Sequence, residues 1–236
     1  MTLSGGLRGR LDGVSDVWRG DHPWASFYDF MVEHERVGRP LWRAGGGTDL
    51  GLLYEAADEI GRLAPGASVL DVPCGGGVAL RGLRPEQELR YVAADIAPAM
   101  LERTAANAVR RGLPQVECVE ADVEHLPFAD DTFDLTVSFT GLHCFPRPEA
   151  AVAEIARVLK PGGVLTGSAL LNDTGVQYAP LRIVGRAGGL LGPSGTRLEL
   201  GRWLGAAGFP DAQIRTSGAL AYFRGRLAPP DGRIHE

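Results

Sequence analysis

The chain has 236 residues, 44% of them hydrophobic, with 24 Lys and Arg against 29 Asp and Glu for a net charge of −5. That length suffices for one α/β domain with a large buried core. The acidic balance argues against a nucleic-acid partner, which requires a basic face.

The N-terminus, Met-Thr-Leu-Ser-Gly-Gly-Leu-Arg-Gly-Arg, lacks an apolar h-region, and no run reaches membrane-spanning length. No stable membrane insertion is therefore expected. Cys74, Cys118 and Cys144 are odd in number and form no C-x-x-C pair. They read as free thiols of a cytoplasmic protein.

In chain order, residues 1–22 are polar and glycine-rich. From Pro23 to about Val37 the aromatics Trp24, Phe27, Tyr28 and Phe30, with Met31, recur at helical spacing. Gly45-Gly46-Gly47 breaks the chain, and Thr48 is expected to cap a helix running to about Leu63. Ser68–Val72 is a short apolar run of the kind a buried parallel strand shows. Gly75, Gly76 and Gly77 follow, and Val78–Arg84 can start a helix.

Leu89–Ala94 reads as the second strand. Pro98 suits the first turn of a helix that ends at Gly112. Val116–Glu120 and Phe133–Phe139 are the third and fourth strands. Pro148 opens a helix to Leu159, Pro161-Gly162-Gly163 turns, and Val164–Leu171 is the fifth strand. Five alternations of strand and helix predict a doubly wound sheet of the Rossmann-like kind, mostly parallel, with helices on both faces.

The pattern loosens over 172–195, where Tyr178 and several aliphatics lie among glycines. Thr196 is expected to cap a helix from Arg197 to Ala207. Two strands joined at Ser217-Gly218 complete the chain as an antiparallel hairpin. One domain is expected: a helical cap (16–50), a core (64–171), a lid insertion (172–195) and a terminal helix and hairpin (196–227).

Asp71 ends strand one, Asp95 ends strand two and Asp122 follows strand three. All three lie at the carboxyl edge of one sheet beside the glycine turn, where open α/β sheets bind ligands. A carboxylate at 95 can accept from two ribose hydroxyls, and one at 122 from an exocyclic amine. The ligand so described is a nucleoside with a further group beyond its ribose. Glycines at the turn leave room for close approach of backbone and ligand.

Five stretches carry a resemblance: Val-Leu-Asp-Val-Pro-Cys-Gly-Gly-Gly (69–77), Ala-Ala-Asp-Ile-Ala-Pro-Ala-Met-Leu (93–101), Glu-Ala-Asp-Val-Glu-His-Leu-Pro-Phe (120–128), Phe-Asp-Leu-Thr-Val-Ser-Phe (133–139) and Ala-Glu-Ile-Ala-Arg-Val-Leu-Lys-Pro-Gly-Gly (153–163). In this order they resemble the class I S-adenosylmethionine-dependent methyltransferases. The chain looks most like the subgroup holding ubiquinone/menaquinone-biosynthesis and natural-product enzymes.

The resemblance implies S-adenosylmethionine as cofactor and S-adenosylhomocysteine as product. By position, Pro73, Cys74, Gly75 and Gly77 would hold the methionine part, with Asp71 supporting the turn. Asp95 would bind the ribose, Ile96 and Met100 would flank the adenine, and Asp122 and Val123 would meet its amine and ring nitrogen. Phe139 and Thr140 would lie near the amino-acid moiety. The family usually has glycine where this chain has Pro73, so no amide contact is available from that position.

The implied reaction is O- or C-methylation of a small, partly apolar metabolite, quinone-like or a natural product, by a monomer or homodimer. Trp24, Tyr28, His143 and Tyr178 are candidate acceptor contacts. His143, in the turn after strand four, is also the candidate base that takes a proton from an oxygen acceptor. Its alternative role is to hydrogen-bond backbone or line the cofactor's methionine end.

A nicotinamide dehydrogenase is the chemical rival, but Gly75 and Gly77 are followed by Leu80, so G-x-G-x-x-G is absent. The non-enzymatic alternative is a cofactor-binding partner or regulatory protein. No histidine pair has metal-ligand spacing.

Overall fold

The computed structural model describes residues 31, 32 and 34–229. Met31 and Val32 are helical and buried. The expected aromatic helix face at Trp24, Phe27, Tyr28 and Phe30 lies outside the described residues.

Helix α1 spans Glu35–Gly46, further than the sequence reading placed it. Pro40 sits inside it, and a Glu35–Arg39 ion pair of 2.6 Å spans the turn just before the proline. The end comes at Gly47, whose φ of 61° is open to glycine and whose N–H donates to the Arg43 carbonyl.

Helix α2 spans Leu50–Ala57 and is capped by Asp49, not Thr48. The Asp49 carboxylate accepts from Gly51 N at 2.9 Å. Thr48 instead turns inward, with its hydroxyl 3.5 Å from that of Tyr222. The helix stops short of Leu63 and gives way to a 3-10 turn at Ile60–Arg62. Val78–Gly82 is likewise a 3-10 turn and not a helix start. A Cβ on Gly82 would lie 1.9 Å from the Ala57 carbonyl oxygen, so this turn is pressed directly against α2. Pro85 then disfavours helix at the preceding residue.

Apart from a helix within 172–195, where none was expected, and an earlier start to the fifth strand, the remaining elements follow the sequence pattern. They are β1 (Ser68–Asp71), β2 (Arg90–Asp95), α3 (Pro98–Arg111), β3 (Val116–Glu120), β4 (Phe133–Phe139), α4 (Pro148–Val158), β5 (Leu159–Leu170), α5 (Ala179–Ala187), α6 (Arg197–Ala206), β6 (Gln213–Ser217) and β7 (Leu220–Arg226). Proline at the first turns of α3 and α4 matches its fixed φ. Thr196 and Glu199 cap α6 reciprocally. The Pro161–Gly163 turn sits within β5 as an irregularity, since the register jumps from Phe133↔Leu159 to Leu135↔Val164.

The sheet order is β3-β2-β1-β4-β5-β7-β6. β1 to β5 are parallel, and β7 runs antiparallel between β5 and β6. Alternate residues feed two cores. Val69, Tyr91, Leu135 and Val137 pack under α2 with Leu53 and Ile60. Leu70, Val92, Phe133 and Leu165 pack with Ile155 of α4 and Leu200 and Leu204 of α6. A doubly wound α/β sheet with both faces covered results.

Candidate active site

From β1 the chain winds one way to β2 and β3, and from β4 the other way to β5. The crevice at such a reversal, outside the carboxyl ends of the strands, is where open sheets bind ligands. A cavity of about 1220 Å³ occupies it. Val72, Asp95, Phe139 and Leu170, at the ends of β1, β2, β4 and β5, all line it. That volume exceeds the roughly 300–1,000 Å³ of ordinary ligand pockets.

The turn after β1 forms one wall. Cys74 N donates to Ala94 O at 2.9 Å, and Gly75 N to the Asp95 carboxylate at 2.9 Å. From α3, Thr104 Oγ1 donates to Gly75 O at 2.7 Å and Asn107 Nδ2 to Gly76 O at 3.2 Å. Gly75 has φ of 51° and open space where a Cβ would stand, so a side chain there would enter the cavity. Gly77 differs: it does not line the cavity, and a Cβ would meet Leu80 at 2.9 Å and Thr104 at 3.2 Å. Its glycine serves the packing of the turn, not space for a ligand.

Gly141, after β4, packs directly against the turn. A Cβ there would lie 2.2 Å from Pro73 Cδ. Gly141→Ala must therefore displace Pro73 and the turn behind it. Overpacking of this kind costs about 1–3 kcal/mol. The expected result is a lower melting temperature and a fall of roughly tenfold in affinity for a ligand held by residues 73–76. Thermal melts and calorimetry check both; unchanged affinity would detach the turn from binding.

Asp95 is buried at the cavity wall. Besides Gly75 N, it accepts from Ala97 N at 3.0 Å. Burial pushes its carboxyl above the usual carboxylate range, against the pull of these backbone N–H groups. Ile96 and Met100 line the cavity beside it.

Asp71 does not line the cavity. It is 1% exposed and accepts from Tyr91 Oη at 2.9 Å. Burial, with the nearby Asp95 charge, pushes its carboxyl up to about 8. In the unfolded chain an aspartate ionises near 3.9. The folded protein thus holds a proton that the unfolded one loses, so this group's contribution to stability falls as pH rises from about 4 to about 8. Asp71→Asn keeps an acceptor for Tyr91 without a charge. Its melting temperature is expected to gain on the parent's progressively from pH 5 to pH 8. An advantage that stays constant would mean that Asp71 is ionised throughout.

The loop after β3 continues the cavity's lining. Asp122, Val123 and Glu124 line the cavity. Asp122 accepts from Glu124 N at 2.9 Å, and its half-exposed carboxylate lies 3.5 Å from His125 Nδ1. Glu124 accepts from Arg147 N and Nε at 2.9 and 2.8 Å. Leu126 N donates to Glu154 of α4 at 2.9 Å. The loop is thereby pinned to α4.

At the end of β4, Phe139 is buried and Thr140 has φ of 53°, an outlier for a β-branched residue. Ser168 holds it there, accepting from Thr140 N through its carbonyl at 2.9 Å and its hydroxyl at 3.1 Å. Strain of this kind persists only where neighbours over-determine it.

His143 lines the cavity, and its Nδ1 accepts from Leu170 N at 3.0 Å. An occupied Nδ1 acceptor places the proton of the neutral ring on Nε2. Burial holds the ring's pKa down to about 4. The sequence reading offered His143 as a base; this geometry makes it a neutral donor at neutral pH, because the atom free to face a ligand already carries its proton. The alternative of a bond to backbone is the one observed. Cys144 lines the cavity with its thiol pushed up to about 12 by burial.

Of the other acceptor candidates, Trp24 and Tyr28 lie outside the described residues. Tyr178 does not line the cavity; its hydroxyl fills the space over Gly47 at the end of α1. The sequence reading missed Leu41 and Trp42 of α1, Leu181 and Val184 of α5, and Leu191 and Leu220, all of which do. For all but Leu220, which lies in β7, the signal was diffuse: apolar residues among glycines in the two segments flanking the core.

A glycine turn, a strand-end carboxylate and a second acidic loop thus surround one crevice of a doubly wound α/β protein. The methyltransferase domain family model matches residues 70–166, 97 of the 236 residues, and the chain is similar to that family there. An uncharacterized protein of Mycobacterium tuberculosis is 38% identical over 138 residues, 58% of this chain and 45% of that protein. The phthiotriol/phenolphthiotriol dimycocerosates methyltransferase of Mycobacterium leprae is 37% identical over 101 residues, 42% of this chain and 36% of that one. The chain thus spans less than half the length of these relatives. In fold it is similar to Haemonchus contortus phosphoethanolamine N-methyltransferase 2, solved with S-adenosyl-L-methionine. The TM-score is 0.64 at 13% identity, covering 76% of this chain and 53% of that one.

Proposed function

We propose that this protein transfers a methyl group from S-adenosylmethionine to a small, largely apolar acceptor. The observation that carries the reading is the division of one cavity into two chemically unlike walls. One holds the Pro73–Gly76 turn, Asp95 and Asp122; the other holds Leu41, Trp42, Leu181, Val184, Leu191 and Leu220. A cavity of about 1220 Å³ has room for two molecules side by side.

The polar wall fits the cofactor. A side chain at Gly75 would fill the space a ligand needs. The Asp95 carboxylate has lone pairs beyond the two its backbone donors take, and these suit ribose hydroxyls. The half-exposed Asp122 carboxylate and the Val123 backbone suit an adenine edge, with Ile96 and Met100 against the ring faces. When bound, the cofactor supplies the electrophilic methyl group.

The protein's own part is alignment and exclusion of water. The pinned 122–126 loop and the braced glycine turn fix one partner. The apolar wall, from the expected cap and lid segments, orders the other and keeps water out. His143 offers an Nε2–H to an oxygen of the acceptor. The dimycocerosate methyltransferase relative, whose name is that of a lipid enzyme, supports an apolar acceptor.

Titration calorimetry with S-adenosylhomocysteine tests the reading, with NADH as the comparison. Binding of the first and not the second is expected. Transfer of labelled methyl from S-adenosylmethionine into a solvent-extractable product then tests the acceptor class. Binding of NADH alone would end the methyltransferase reading.

A further inference from the structure

Beyond this activity, we propose that the rim of the cavity formed by α1 and α5 docks on an anionic lipid surface. Among the described residues, eight large hydrophobic side chains are exposed, and six of them belong to α1, α5 or the turn before α5. Val37 and Leu41 belong to α1, Leu181, Ile183 and Val184 to α5, and Val176 to the turn before it, at 88% exposure. Leu41, Leu181 and Val184 are at once exposed and part of the cavity wall. The patch is therefore continuous with the apolar half of the cavity. Exposed apolar clusters rimmed by polar residues mark interaction sites.

Charge identifies the occupant. The chain as a whole is at −5, yet α1 and α5 together carry five arginines against one glutamate. Two acids face this set: Glu35 pairs with Arg39, and Asp49 with Arg43. Arg182 is 8% exposed and donates to Gly175 O at 2.9 Å, so its guanidinium is held inside and the surface charge rests on the other four. Arg186 is exposed and binds the Asn172 side-chain oxygen, a neutral partner. Aliphatic residues with arginines beside them on a short helix are the pattern of elements that lie in a bilayer interface. No helix among the described residues is long and apolar enough to cross a membrane, so the contact is with a surface. In this position an apolar acceptor passes from lipid into the cavity without crossing water.

The test is co-sedimentation of the full chain with vesicles of phosphatidylcholine alone and of phosphatidylcholine with about one third phosphatidylglycerol. Binding to the anionic vesicles, weakened by high salt, is expected. The double variant Val176→Glu, Ile183→Glu changes two exposed residues that do not line the cavity. It should partition at least about tenfold less while keeping the parent's affinity for S-adenosylhomocysteine. Val109→Glu, at an exposed site on α3, should bind vesicles like the parent. The proposal is overturned if the parent ignores anionic vesicles, or if Val109→Glu loses as much as the double variant. It is overturned equally if sedimentation equilibrium shows a dimer that the double variant abolishes, since the patch would then face a second copy. A parent that binds vesicles but not S-adenosylhomocysteine would leave the docking surface standing and sink the proposed activity.

Discussion

Asp95→Ala is expected to lower the affinity for S-adenosylhomocysteine about a hundredfold. Hydrogen bonds to a charged acceptor contribute about 1.5–3 kcal/mol each, and tenfold corresponds to about 1.4 kcal/mol. The carboxylate has two tasks in one place. It fixes Gly75 N and Ala97 N at 2.9 and 3.0 Å, and its remaining lone pairs face the cavity. Alanine removes the ribose acceptors and leaves two backbone donors without their partner, so the melting temperature should fall as well. Asp95→Asn separates the tasks: its amide oxygen serves one backbone donor, while its NH2 confronts the other. It should retain more stability than alanine and recover little affinity. Calorimetry on both variants decides, and an affinity within threefold of the parent's for Asp95→Ala would remove Asp95 from the binding site.

His143 is expected to stay neutral, with its proton on Nε2, from pH 8 down to about pH 5. The acceptor bond from Leu170 N fixes that tautomer, and burial holds the pKa to about 4. Nitrogen-15 spectra of histidine-labelled protein report the tautomer directly. A histidine in the unfolded chain titrates near 6.5, so the folded protein binds fewer protons below that pH. This group's stabilising contribution is therefore whole above about 6.5 and is lost as pH falls through about 4. In turnover, a base and a donor predict different outcomes. A general base contributes typically 10²–10⁴-fold, and its loss removes a titration step from the rate. A neutral donor contributes about 0.5–1.5 kcal/mol, roughly tenfold, with no step near 6.5. His143→Phe should cost about that tenfold, together with stability from the orphaned Leu170 N–H. His143→Gln, which supplies both an acceptor and a donor, should recover most of both losses. A rate that rises through a histidine-like ionisation in the parent would restore the base.

The strand ends were legible because apolar runs, prolines and glycines act locally. Val69–Asp71, Pro98 and Gly112 each specify their conformation without help from distant residues. The doubly wound, mostly parallel sheet and the family resemblance followed from those signals. The insertion of β7 between β5 and β6 was not visible, since hairpin spacing specifies pairing between neighbours and says nothing of which strand meets β5. The caps show a second limit. Thr48 and Asp49 are both good N-cap residues, and the choice fell to Asp49 because Thr48 is drawn to Tyr222, 174 residues away. At the site, the acids and glycines that line the cavity are rare types in a fixed order, and so readable. The apolar wall is built of Leu, Val and Trp, which look the same in sequence whether they face a core or a cavity. His143 illustrates the remaining gap: its position near the strand end was readable, but its proton is assigned by a backbone N–H at Leu170 that no local pattern connects to it.

The place of β7 has a consequence for how the chain is made. Strand β5 pairs along Val164–Leu170 with residues of β7 that emerge from the ribosome up to about 60 residues later, Leu170 with Leu220 and Val164 with Arg226. At roughly 5–20 residues per second, the nascent chain carries an open, apolar β5 edge for several seconds. Such an edge is a template for pairing with the wrong strand. The segment 70–166 that matches the domain family ends inside β5. Expressed alone, it would make that transient state permanent, with aggregation as the outcome. The smallest soluble unit should therefore extend through Arg226, which makes the C-terminal hairpin a requirement of biogenesis as much as of architecture.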